Sequence, residues 1–206
     1  MALIVAMTSA CSAGTGGQPD GSIVPTTPSS PDVPSKPTQL SVPQVQSGVF
    51  QTSPAPLSEE ALKNAEYHSQ DFTLSNTPVN GTIRLTDGKY EYKGPQSTLF
   101  MLQVNYLQST AGDLNGDGTP DAVVVLDTNT GGSGVFLYLA ALVNQDGQPD
   151  NVSTVFLGDR VKIDAVTIQS GVVRLEMVVQ GTQDAMCCPS QKVTQEFVLK
   201  NNQLMP

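Results

Sequence analysis

The chain has 206 residues, 38% of them hydrophobic, enough for one domain of ordinary size plus an extension. Its formal net charge is -9 and no Lys/Arg cluster interrupts it, so its surface repels nucleic acid and anionic lipid. It has no Trp, a residue on which carbohydrate-binding proteins often stack sugars, and three cysteines are too few for a disulfide scaffold.

In chain order, residues 1–11 (MALIVAMTSAC) come first, an apolar run closing on small residues and a cysteine. Thr8-Ser9-Ala10-Cys11 has the form of a lipobox, in which small residues fit the signal peptidase and the cysteine sulfur receives diacylglycerol. Cys11 is therefore the expected lipidation site, with an ordinary secretory signal as the alternative. The segment has no Lys or Arg, is short for a signal peptide, and carries Thr at position 8 where Leu is more usual. A start upstream of Met1 accounts for the first two departures. Residues 12–57 are rich in Pro, Ser, Thr, Gly and Gln and bury too little to offset their ordering entropy, so they read as a disordered, extended linker.

Residues 58–206 read as the globular domain. Ser58 is a candidate N-cap, Glu59 and Glu60 suit a first helical turn, and 58–68 is predicted as one short helix. Strand patterns then follow at short spacing. Residues 81–92 alternate around Asp87-Gly88, a hairpin signal, and 98–107 and 122–128 continue the series. Residues 135–144 (VFLYLAALVN) are continuously apolar, which predicts a central strand buried on both faces. Runs at 152–158, 161–168, 172–179 and 193–200 are separated by turn residues. The expected fold is mainly β to α+β, an antiparallel meander sheet with one short N-terminal helix. No internal repeat is present, which weighs against a propeller.

The stretch AGDLNGDGTPDAVVVL, 111–126, carries the strongest chemical signal. Asp113, Asn115, Asp117, Thr119 and Asp121 alternate as oxygen donors, and Gly116 and Gly118 permit the turns that convergence on a cation requires. Calcium is the expected ion, held weakly and for structure. An EF-hand is excluded because loop position twelve is Val124 and a strand pattern follows. A solvated turn is the alternative, but no Lys or Arg between 94 and 159 offsets these charges. Cys187 and Cys188 are adjacent, and are read as a disulfide, as two packed thiols, or as a redox or soft-metal pair. His68 is the sole histidine and gets no catalytic partner from the sequence, so catalysis is not expected. Asn129–Gly134 has the glycines of a phosphate loop without its Gly-Lys-Ser/Thr ending, and reads as a hairpin or bulge.

The lipobox-like cysteine, the Pro/Ser/Thr stalk, and DLNGDGTPDAVVVL with NTGGSGVFLYLAAL resemble bacterial lipoproteins of the LppP/LprE type. The segments Leu157–Val161 and Met186–Pro189 are similar to parts of extracytoplasmic modules. The resemblance covers roughly residues 58–204 and the first fifteen. It implies an extracytoplasmic place, anchored to the bacterial membrane through Cys11, or secreted if that cysteine is unmodified. It carries over no catalytic residue. The expected role is binding or envelope structure, with a protein or envelope component as partner and no nucleic acid. The rivals are thiol or soft-metal handling by Cys187 and Cys188 and inhibition of a secreted hydrolase.

Overall fold

In a computed structural model of the chain, residues 54–206 are described, apart from 76, 98 and 186. Cys11, the signal-like segment and the linker up to residue 53 lie outside the described residues. Leu57, assigned above to the linker, belongs to the folded core, where it is buried against neighbouring apolar side chains.

The helix is shorter than predicted. α1 spans Glu59–Lys63, and Ser58 caps it by accepting a hydrogen bond from the Ala61 N–H at 3.1 Å. It stops there because the turn at Asp87-Gly88 takes its C-terminal end: the Gly88 N–H donates to the Lys63 carbonyl and the Asp87 N–H to the Asn64 side chain. Residues expected to continue the helix instead form β1, Glu66–Thr73, paired antiparallel with β2, Asn80–Arg84. His68, the last residue of the predicted helix, therefore lies within a strand. Tyr67 and Phe72 of β1 are fully buried, which repays the strand conformation.

The Asp87-Gly88 turn forms, but it does not join a hairpin ladder. Both residues have positive φ, and Thr86 and Lys89 make one bridge. Beyond it the chain divides between sheets, because the Leu85 N–H bonds to the Ala65 carbonyl. β3, Lys89–Lys93, begins a five-stranded sheet that continues through β4 (Phe100–Gly112), β5 (Asp121–Asn129), β6 (Phe136–Gln145) and β7 (Gln148–Asp159). β8 (Lys162–Gln169), β9 (Val172–Val179), β10 (Gln191–Lys200) and β11 (Gln203–Met205) form a second, four-stranded sheet. Each sheet pairs its strands in sequence order, so the predicted single meander is two meanders plus a hairpin. Asp146-Gly147, Ser170-Gly171 and Asn201-Asn202 close two-residue turns with positive φ at both positions, the mirror-image turns that match strand twist.

The three sheets stack as layers around β5 and β6. Ala122, Val124 and Leu126 of β5, with Tyr138, Ala140 and Leu142 of β6, face the β1–β2 hairpin and α1. The alternate residues, Val123, Val125, Leu137, Leu139 and Ala141, face the four-stranded sheet. This accounts for the continuous apolar runs, since neither strand has a wet side.

Side-chain bonds hold the layers together where no ladder can. Val152 of β7 is an extra residue opposite the Ala141–Leu142 step. The neighbouring Asn151 side chain fills the gap, donating to the Ala141 carbonyl and accepting from the His68 N–H of β1 at 2.8 Å. On the other side, Thr110 of β4 donates to the Val166 carbonyl of β8, and the Leu204 N–H donates to Ser153. Replacing Asn151 by Ala strips the His68 amide of its acceptor. The expected loss is about 1–3 kcal/mol of stability by urea denaturation, with faster hydrogen exchange at the His68 amide. An unchanged midpoint would show that the bridge contributes nothing.

Candidate functional site

The loop between β4 and β5 holds four of the five oxygen-bearing residues singled out above, and the fifth, Asp121, begins β5. It is docked by Leu114, which is buried in the core beneath the four-stranded sheet. Gly112 lets the loop leave β4 under Ile168, since a Cβ there would lie 2.6 Å from the Ile168 Cγ2. Gly116 and Gly118 sit at φ +82° and +83°, a region that side chains with a Cβ disfavour.

The polar side chains of this loop fold onto its own backbone. Asp113 accepts from the Gly116 N–H through Oδ1 and the Gly118 N–H through Oδ2, at 2.7 and 2.9 Å. Asn115 accepts from the Asp117 N–H and donates to Asp117 Oδ2 at 2.8 Å. Asp117 accepts from the Thr119 N–H at 2.6 Å, and this bond, together with that from Asn115, holds its carboxyl below the usual carboxylate range. The loop is thus shaped by hydrogen bonds within itself. Each such bond uses one lone pair of its oxygen and leaves another.

Asp121 has a different task. It is 0% exposed at the start of β5, and its two oxygens accept the N–H groups of Leu114 and Asn144 at 3.0 and 2.9 Å. Asn144 in turn donates to the carbonyls of Pro120 and Ala55 and accepts from the Gly147 N–H. This network joins the acidic loop, the β6–β7 turn and the chain leading to α1. Asp113, Asn115, Asp117 and Thr119 are together at the exposed end of the loop, while Asp121 is committed to the fold. Among the described residues no group of three or more His, Cys, Asp or Glu side chains is placed to hold a metal ion.

Cys187 and Cys188 are exposed and joined by a disulfide in the loop between β9 and β10. Asp184 organises that loop, accepting from the Ser190 hydroxyl at 2.6 Å and from the N–H groups of Gly181 and Ser190. These bonds, with the Ser190 hydroxyl foremost, hold its carboxyl below the ordinary range. The glycine segment after β5 is a hairpin loop, as predicted. Asn129 accepts from the Gly131 N–H and donates to the Gly134 carbonyl. Arg160, paired with Asp159, closes it from the next hairpin by donating to the Ser133 carbonyl at 2.7 Å.

One concave site escaped sequence reasoning. A cavity of about 350 Å³ lies between the β1–β2 hairpin and β7, and His68 lines it. Its only sequence-level signs are Gly81, in a strand pattern, and the lone histidine, neither of which points to a cavity by itself. No family model matches the chain, and no curated protein or solved structure matches it significantly.

Asp117, at the exposed tip of the loop, and Asp121, at its buried end, differ in a measurable way. Asp121→Ala leaves two buried N–H groups without partners and is expected to cost about 2–5 kcal/mol in chemical denaturation, whereas Asp117→Ala, at the surface, is expected to move the denaturation midpoint far less. Equal losses would contradict the division of roles.

Proposed function

We propose that this chain is an extracytoplasmic bacterial lipoprotein, of the kind its LppP/LprE-like features imply, whose β-rich domain is a non-catalytic binding or envelope module. One observation carries the reading. Cys187 and Cys188, the only cysteines besides Cys11, are bonded to each other on an exposed loop, which suits an oxidising compartment and leaves Cys11 for lipid. The Pro/Ser/Thr-rich segment then serves as a stalk. With palmitate label supplied to a bacterial host, the wild-type chain should incorporate label and sediment with membranes. Cys11→Ser should lose both properties. A chain that takes up no label, or a variant that behaves as the wild type, removes the lipid anchor from the reading.

Calcium at the 113–121 loop is part of the same proposal. The Asp113, Asn115 and Asp117 side chains and the Thr119 carbonyl are its ligands. Their spare lone pairs and the lack of any Lys or Arg between 94 and 159 support it. Because the loop's hydrogen bonds already give it shape, the ion would add stability without creating the fold. At calcium about tenfold above a dissociation constant on the order of 10⁻³ M, the gain is about 1.4 kcal/mol. The expected reading is a rise in melting temperature of about 3–6 °C over EDTA, absent in Asp117→Ala. No rise at millimolar calcium would leave the stretch a self-bonded turn.

A second reading has one observation in its favour. Both bonded cysteines are exposed, so a thiol partner can reach them. Thiol–disulfide or soft-metal handling is then the role of the Cys187–Cys188 loop, and thiol titration with and without mild reductant separates it from a purely structural bond.

A further inference from the structure

The cavity beside His68 is built by two irregularities in different sheets that face each other. Between the pairs His68–Thr82 and Thr73–Asn80, β1 has four residues and β2 has only Gly81. Gly81 takes φ +91°, and a Cβ on it would lie 3.0 Å from the Ser69 carbonyl oxygen and 3.1 Å from Thr73 Oγ1. The opposite wall is the β7 bulge at Val152. Asn151 locks the two walls together, accepting from the His68 N–H of one and the Thr154 hydroxyl of the other. Bulges that re-aim side chains gather at binding sites.

The chemistry of the walls is uniform. All ten lining residues except Gly81 and Val152 carry a hydroxyl, an amide or the imidazole, and the charge nearest the His68 ring is the Glu66 carboxylate, 3.6 Å from its Nε2. Hydroxyls and amides both donate and accept, which suits a ligand that does the same. Along β7, Thr154 of the cavity and Phe156 sit opposite Ala140 and Tyr138, so both share the face on which the β1–β2 hairpin lies. Two residues of strand place them about 7 Å apart. Phe156 is 54% exposed, and its ring is buttressed by Tyr138 at 5.3 Å and Phe136 at 6.3 Å between centroids. A braced, solvent-facing ring beside an open hollow of mixed polar and apolar surface offers an apolar face next to several hydrogen-bonding groups.

We propose that this site binds a neutral saccharide, with an apolar sugar face on Phe156 and ring hydroxyls on the Gln70 and Asn80 amides, beside the hydrogen-bonded His68–Thr82 pair and the Thr154 hydroxyl that donates to Asn151. This names the ligand class of the binding role proposed above and rests on that reading. The missing Trp does not oppose it, because Phe156 supplies the ring. The chain's charge of -9 and the absence of Lys and Arg from the walls select against acidic sugars.

The test is a ¹⁵N–¹H NMR titration of the full-length chain with soluble chito-, cello- and malto-oligosaccharides at millimolar concentration, and with oligogalacturonate as the acidic control. Shifts for at least one neutral sugar should cluster at 68–73, 80–82 and 152–156. Phe156→Ala and Gln70→Ala should weaken that binding about five- to tenfold each; Gln70→Ala should leave the melting temperature unchanged, and Phe156→Ala, which also loses packing against Tyr138 and Phe136, should keep the wild-type amide spectrum away from the site. The proposal is overturned if no neutral sugar shifts these amides, if the shifts fall elsewhere, if oligogalacturonate binds as well, or if Phe156→Ala binds like the wild type. Palmitate labelling is independent of all these outcomes, so failure of the sugar site and failure of the lipoprotein reading are told apart.

Discussion

Burial of β5 and β6 on both faces is the constraint from which the rest of this architecture follows. A strand with two dry sides can end only where its polar groups find partners, and it must be covered from both directions. The β1–β2 hairpin with α1 covers one face and the four-stranded sheet covers the other. The polar residues admitted to this interior sit at strand ends or at a bulge. Asp121 begins β5, Asn144 lies near the end of β6 and Asn151 flanks the extra residue of β7. Among the described residues no buried side-chain nitrogen or oxygen lacks a partner. That completeness matters because an unpaired polar group in such a setting costs more than a hydrogen bond returns.

Elements whose signal is local were legible in the sequence. The Ser58 cap, the central strand expected over residues 135–144 (buried from Leu137 to Asn144) and the strand runs from 122 to 200 depend on periodicity and on turn residues, and they form close to where they were read. Elements decided by distant partners were not. The helix ends at Lys63 because the Asp87-Gly88 turn bonds to its last carbonyl, more than twenty residues away. The same contact divides β2 from β3, so a sound hairpin signal yields a turn without a hairpin ladder. Stacking in three layers is equally invisible to a single strand, since a run buried on both faces looks alike in any architecture.

The candidate sites divide along the same line. The acidic loop announces itself by composition, but composition cannot separate its surface members from Asp121. What separates them is a backbone N–H from Asn144, supplied by a neighbouring strand. The His68 cavity carries almost no linear signature, because it arises where irregularities in two sheets meet. Asn151 makes that meeting possible by satisfying β1 and β7 at once.

The Asn144 side chain holds more than a turn. It grips the Ala55 carbonyl, while Leu57, two residues on, is seated in the core. The described chain therefore enters the domain at one corner, the corner shared with Pro120 and Asp121. The Ala55–Leu57 stretch is held there by one side-chain hydrogen bond and one buried leucine, outside the strand ladders of all three sheets.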